Sequence, residues 1–243
     1  MSDNQKIALV TGATRGIGLE TVRQLAAGGV HTLLAGRDLA KAREAAQALK
    51  SEGLPVEAIA LDVSDAASIA AAAKQVEASH GRLDILVNNA GIFKDDFAKS
   101  PSEQSLETWR ETFDTNLFGM VAVTQALLPL LRRAPAARIV NLSSSLASLA
   151  FHSDPDSELY GFKVPAYNVS KTAVNAWTVQ LAYELRDTAI KVNAADPGSV
   201  KTDMNSNGQL ELADGASTSV GLALLDANGP NGTFQHRGEV LPW

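Results

Sequence analysis

The chain has 243 residues, 45% hydrophobic and 20% charged, with a net charge of −6 and no cysteine. Such a chain can bury a sizeable core as one or two domains; the missing cysteine excludes disulfides, thiolate metal sites and a cysteine nucleophile, and the acidic balance lacks the basic stripe of a nucleic-acid surface. No apolar run approaches the ~18 residues of a membrane span, an anionic membrane surface would repel the chain, and the start "MSDNQKIALV" has no apolar signal-peptide core, so the expected compartment is the cytoplasm.

Six short runs rich in Val, Ile and Leu read as strands buried on both faces: "KIALVTG" (6–12), "HTLLAG" (31–36), "PVEAIALDV" (55–63), "LDILVNNAG" (83–91), "ARIVNLSS" (137–144) and "IKVNAADPG" (190–198). Between them, segments such as 38–52 and 65–79 have a composition that favours helix. This alternation predicts an α/β fold: a Rossmann-type, doubly wound parallel sheet of about seven strands with helices on both faces. No linker or repeat divides the chain, so 1–243 reads as one domain. Ligands of such sheets bind outside the carboxyl ends of the strands. That rule singles out Gly12 to Gly18, Arg37, Asp62, Asn88 to Gly91, Ser144 and Pro197-Gly198.

After the first run, "TGATRGIG" places Gly12, Gly16 and Gly18 ahead of a helix. Glycines there allow a tight turn and let a phosphate approach the free N–H groups of the helix N-terminus. Many strand-to-helix turns need glycine with no ligand at all, so the loop gains force only in company. Further along, "AYNVSK" sets Tyr167 four residues ahead of Lys171, on one helical face. A nearby ammonium favours the phenolate and so lowers a tyrosine pKa. Tyr160 and Tyr183 have no lysine at that spacing.

Thr11-Gly-x-x-x-Gly-x-Gly18, "NNAG" at 88–91, Asn116, "NLSSS" at 141–145, "YNVSK" at 167–171 and "PGSVKT" at 197–202 stand in the order of the short-chain dehydrogenase/reductase family. The resemblance runs from about residue 6 to the C-terminus, whose "GPNGTFQHRGEVLPW" is similar to the carbonyl-reductase-like branch. It implies an NADP(H)-dependent reduction of a ketone or aldehyde to an alcohol. Tyr167 would be the general acid, Lys171 would tune it and bind the nicotinamide ribose, Ser144 would orient the substrate oxygen, and Asn116, on the fourth helix, would hold a water that relays protons to Lys171. The bland readings are helix-surface residues, a strand-end hydroxyl and a helix-bending amide.

The resemblance also implies cofactor contacts from Gly12, Thr14, Arg15, Gly16, Ile17, Gly18, Arg37, Asp62, Val63, Asn88, Asn89, Ala90, Gly91, Tyr167, Lys171, Pro197, Gly198, Val200 and Thr202. Relatives that use NAD carry an acidic residue where this chain has Gly36. Arg37 and Arg15 instead suit a 2′-phosphate, which guanidinium grips with paired, charge-assisted hydrogen bonds. Asp38 complicates this, since it stands next door and could take a ribose hydroxyl. An acyl-carrier-protein-type 3-oxoacyl reductase and a non-catalytic NADP(H)-binding sensor are the alternatives.

The 23 residues from Ser144 to Tyr167 exceed the usual family spacing and mark an insertion at about 146–166. It resembles, in shortened form, the insertion of animal carbonyl reductases and plant menthone-type reductases, which covers a face used for dimerisation. A monomer is therefore favoured slightly over a homodimer or tetramer. The expected pocket lies between the insertion, Phe93, Leu146 and the segment 203–215. His31, His80, His152 and His236 are scattered without metal-ligand spacing, and no metal is expected. Trp109, Trp177 and Trp243 read as packing residues. Asp196, before Pro197, has no evident role in the sequence.

Overall fold

The computed structural model describes residues 5–243. All six predicted runs become strands: β1 (Ile7–Val10), β2 (His31–Gly36), β3 (Val56–Ala60), β4 (Ile85–Asn88), β5 (Arg138–Leu142) and β6 (Lys191–Ala195). β7 (Phe234–His236) and β8 (Glu239–Val240) complete one sheet in the order β3-β2-β1-β4-β5-β6-β7-β8. Every neighbouring pair is parallel except β7 with β8. The two-residue β8 has too little apolar sequence to register as a strand, and its antiparallel return adds an eighth strand to the seven expected.

The helices are α1 (Gly16–Ala27), α2 (Leu39–Ser51), α3 (Ala66–His80), α4 (Leu106–Phe113), α5 (Met120–Leu131), α6 (Leu149–Ser153), α7 (Pro165–Glu184) and α8 (Leu212–Ala223). Alternation along the strands divides the core in two, as a doubly wound sheet requires. Ile7, Leu9, Leu33 and Ala35 join the layer with α3 and α5, while Ala8, Val10 and Leu34 join the layer with α1 and α2. Asp38 and Asp65 cap α2 and α3 with their carboxylates, satisfying N–H groups that the helices leave without intrahelical partners.

Two sequence expectations change. The fourth helix is broken: a π-helical turn (Asp114–Gly119) joins α4 to α5 and holds Asn116. The continuous run Leu106–Leu131 is also long and apolar enough to cross a membrane by length and composition, contrary to the sequence reading. Its apolar residues have another use, because Val123, Leu127, Leu130 and Leu131 pack into the sheet's core. In the insertion, α6 is followed by turns, and its start is tied to the chain end by Ala150 N–H donating to the Trp243 carbonyl at 3.0 Å.

Candidate active site

The strand order reverses between β1, which runs to β2 and β3 on one side, and β4, which runs to β5 and β6 on the other. The loops leaving β1 and β4 therefore diverge at their carboxyl ends and open a crevice. The glycine loop enters it after β1. Gly12 has φ +62, and a Cβ on it would lie 2.8 Å from the Ala90 backbone, so only glycine lets these two loops close on each other. Thr11 Oγ1 accepts from the N–H groups of Asn89 and Ala90, both at 3.0 Å. Asn89 Nδ2 donates back to the Thr11 carbonyl at 2.8 Å and the Gly12 carbonyl at 3.1 Å. Asn89 thus shapes the loop. The side chain of Asn88, expected to line the cofactor cleft, turns into the protein instead, donating to Thr124 Oγ1 at 3.0 Å and Asn141 Oδ1 at 2.9 Å. A strand residue alternates faces with its neighbours, so Asn88 and Asn89 cannot both look outward.

At the end of β2 the geometry decides which ribose substituent fits. A Cβ on Gly36 would lie 2.5 Å from Thr14 Cγ2, so an acidic side chain cannot stand there. Asp38 Oδ1 accepts from Ala40 N–H at 3.0 Å and Lys41 N–H at 3.2 Å. One oxygen of its carboxylate caps α2, which fixes the side chain at the start of that helix. Arg37 is exposed and close enough to Asp62 to help hold that carboxyl below its ordinary range, after the hydrogen bonds from Ser64 that dominate the shift. Arg15 pairs with Asp203 at 2.8 Å with both side chains largely exposed; exposed pairs of this kind are weak, so the guanidinium is free to turn to a phosphate. Ile17 lies in the first turn of α1, and Val63, next to Asp62, is buried in the core. Two exposed arginines and a glycine at the end of β2 fit a dinucleotide bearing a 2′-phosphate.

Across the crevice, α7 presents Tyr167 and Lys171. The start of α7 is set from outside the helix: the two oxygens of buried Asp95 accept from Ala166 N–H and Tyr167 N–H, each at 2.9 Å. Asp95 thus acts as a remote N-cap and complements the helix dipole, a role no sequence motif announced because it lies about 70 residues upstream. Asp95→Ala should cost folding free energy of about 1 kcal/mol and, by loosening Tyr167, should lower kcat more than it raises the substrate KM. Steady-state kinetics with thermal melts checks this, and Asp95→Asn should recover part of the loss.

Lys171 is buried and donates from Nζ to the Leu142 carbonyl at 2.7 Å, with Nζ 5.7 Å from the centre of the Tyr167 ring. Burial pushes the ammonium down to about 8. Burial also pushes the Tyr167 phenol up to about 12, with the Asp196 carboxylate adding to the rise and a hydrogen bond with Ser144 opposing it. The sequence spacing alone predicts a lowered phenol, but here desolvation and the Asp196 carboxylate outweigh the hydrogen bond that lowers it. The phenol therefore keeps its proton at neutral pH.

Of the three serines after β5, Ser144 is the one that meets Tyr167. Ser143 is buried and donates to Asn175 Oδ1 at 2.6 Å. Ser145 uses its N–H on Asp196 Oδ1 at 2.9 Å. Asn116 sits fully buried in the π-helical turn. Its Oδ1 accepts from Ile92 N–H at 2.8 Å, and its Nδ2 donates to the Ile92 carbonyl and to Ser170 Oγ, both at 3.0 Å. The amide thus fastens the β4 loop to α7; both its N–H donors are used, and its Oδ1 keeps one acceptor position.

Asp196 now has a physical account. Its Oδ1 accepts from Ser145 N–H at 2.9 Å and Gly198 N–H at 3.1 Å, and its Oδ2 lies 3.2 Å from His236 Nδ1. One buried carboxylate therefore joins the serine loop, the Pro197-Gly198 turn and β7, and it holds the His236 pKa above the ordinary imidazole value. Val200 is buried against Gly208 and Gly215, and Thr202 Cγ2 comes within 4.0 Å of a Cβ position on Gly16. The segment after β6 thus closes over the glycine loop. On the substrate side an aromatic row leads outward from Tyr167: Phe93 at 5.3 Å, Phe97 a further 5.3 Å on, and Phe162 of the insertion at 6.2 Å from Phe97.

Known proteins share this sequence pattern and fold. The family model described as short chain dehydrogenase matches residues 6–212. The chain is 34% identical to short-chain dehydrogenase/reductase 1 of Saponaria officinalis over 98% of this chain and 96% of that protein. It is 35% identical to carbonyl reductase 1 (NADPH) of Mus musculus across the whole of both chains. Among solved structures, the NADPH-bound carbonyl reductase from chicken fatty liver superimposes with a TM-score of 0.85 at 30% identity, covering 98% of this chain and 94% of that one. From residue order, site geometry and these likenesses together, the chain is an oxidoreductase that belongs to the short-chain dehydrogenase/reductase family.

Proposed function

We propose that the protein is an NADPH-dependent carbonyl reductase that turns an apolar ketone or aldehyde into an alcohol. The observation that carries this reading is the meeting of Ser144 and Tyr167 hydroxyls at the head of α7, above a buried Lys171 and across the crevice from the glycine loop. The nicotinamide cofactor supplies hydride to the carbonyl carbon when bound. Ser144 and Tyr167 hold the carbonyl oxygen, and the protonated phenol of Tyr167 gives it a proton as negative charge develops there. Lys171, cationic at neutral pH, stabilises the phenolate left behind. Asn116 and Asp95 position the helix that carries both groups. The aromatic row of Phe93, Phe97 and Phe162 favours a hydrophobic substrate body, in keeping with the named activity of the mouse relative.

Arg37 is the residue proposed to choose between the two nicotinamide cofactors, with Arg15 assisting once it leaves Asp203. Arg37→Ala should raise the KM for NADPH by about tenfold or more, the worth of a charge-assisted hydrogen bond, and leave the KM for NADH nearly unchanged. Equal effects on the two would make Arg37 a structural residue. The aromatic row beside Tyr167 also supports a small-molecule substrate, and we place the protein in the cytoplasm as a monomer capped by the 146–166 insertion. Size-exclusion chromatography with light scattering tests the last of these.

A further inference from the structure

Three residues far apart in sequence meet at the edge of the sheet opposite the catalytic crevice. His31 opens β2, Glu57 lies on the edge strand β3 and His80 ends α3. The β2–β3 register pairs Leu33 with Glu57, and His31 stands two residues before Leu33, so His31 and Glu57 project to the same face of the sheet. That is the face covered by α3, and its last residue closes the group. His31 Nε2 lies 3.6 Å and His80 Nε2 3.7 Å from Glu57 Oε2, with only 16% and 2% of the two imidazole side chains exposed. The sequence reading took these histidines as scattered; the crossover connection through α3 is what unites them.

The group is underused as a set of hydrogen bonds. Both separations exceed hydrogen-bonding distance, and His31 Nε2 and His80 Nδ1 are buried without any partner. Such atoms are costly to leave unsatisfied. Among the described residues no lysine or arginine pairs with Glu57, whose ion-pair neighbours are these two imidazoles alone. The imidazole rings stand 5.2 Å apart, and burial together with the neighbouring His31 pushes the His80 pKa down, against a smaller upward pull from Glu57. A neutral imidazole is the form that ligates a metal.

We infer that His31, Glu57 and His80 form a binding site for a divalent transition ion of the zinc class. One ligand atom from each residue can be drawn from a set whose members all lie within 4.8 Å of one another. A tetrahedral ion with bonds of about 2.1 Å holds its ligands about 3.4 Å apart, so the two histidine–glutamate separations need to close by only a few tenths of an ångström. Two nitrogens and one oxygen suit zinc rather than magnesium or calcium, which take oxygen sets. Water fills the fourth position. The ion ties the end of α3 to the two outer strands of the sheet, and it acts on stability, since the catalytic groups lie at the other ends of the strands.

The test uses the full chain without a polyhistidine tag, stripped with a chelator and titrated with zinc chloride by calorimetry, with cobalt(II) absorption as a reporter of coordination. The expected result is one zinc per chain, a tetrahedral cobalt spectrum and a melting temperature that climbs with zinc concentration. His31→Gln, the most exposed imidazole and so the mildest change, should weaken binding by about tenfold or more with kcat unchanged; Glu57→Gln should act in the same direction. Absence of stoichiometric binding to the parent chain would overturn the assignment. So would binding that the His31→Gln and Glu57→Gln chains retain in full, because the zinc would then sit elsewhere.

Discussion

Tyr167→Phe should lower kcat for carbonyl reduction by about 10²- to 10⁴-fold, the worth of a positioned general acid, while NADPH binding stays nearly intact. The substitution removes one oxygen from a partly buried ring that packs against Phe93 at 5.3 Å, so the fold and the aromatic wall persist. A phenol that burial and Asp196 push up to about 12 is protonated at neutral pH, which suits proton delivery to a developing alkoxide. Fluorescence titration with NADPH, alongside initial rates, separates the two effects. A variant that keeps most of the parent rate would show that the proton comes from another group.

Lys171→Met should abolish turnover to a comparable degree yet raise the melting temperature by a few degrees. The burial that pushes the ammonium from 10.5 to about 8 corresponds to about 3 kcal/mol of destabilisation when the group is charged, and methionine fills similar space without that charge. Loss of the hydrogen bond to the Leu142 carbonyl takes back about 1 kcal/mol. The sign of the pH dependence follows from the same shift. Between about pH 8 and 10.5 the unfolded chain holds a proton that the folded chain has lost, so this residue makes the parent protein more stable as pH rises through that window. Activity runs the other way: the rate of reduction should fall above about pH 8 as Lys171 is neutralised. Differential scanning calorimetry from about pH 7 to 10.5 on both chains checks the stability arm, and a rate profile of the parent over the same range checks the other.

The strands and the crevice were legible because both rest on local patterns. Six apolar runs bounded by turns can hardly form anything but buried strands, and the topology then places Gly12, Asn89, Ser144 and Gly198 at their carboxyl ends whatever the ligand. The Tyr167–Lys171 pair was only suggested by helical spacing; the family resemblance of the ordered motifs gave it a role. What the sequence hid is set by contacts between distant residues. Asp95 caps α7 across about 70 residues, Asp196 joins three loops, and His31 meets His80 only after a helix has crossed the sheet. The inward turn of Asn88 and the bonding of Asn116 to Ile92 and Ser170 belong to the same class, because a motif marks a position and does not say which way its side chain points. The raised phenol has a different origin, since spacing reports the neighbouring charge but not the burial that pushes the group up.

The central claim is a reductase that draws on NADPH through an arginine-lined ribose site and delivers a proton from Tyr167. Oxidation of NADPH and of NADH, measured side by side against ketones, aldehydes, diketones and β-ketoacyl thioesters, tests it most directly. The account predicts turnover of hydrophobic ketones or aldehydes with a clear preference for NADPH. Activity confined to thioesters, or tight NADPH binding with no turnover of any carbonyl in the panel, would contradict it and point instead to an acyl-carrier-protein reductase or to a non-catalytic sensor.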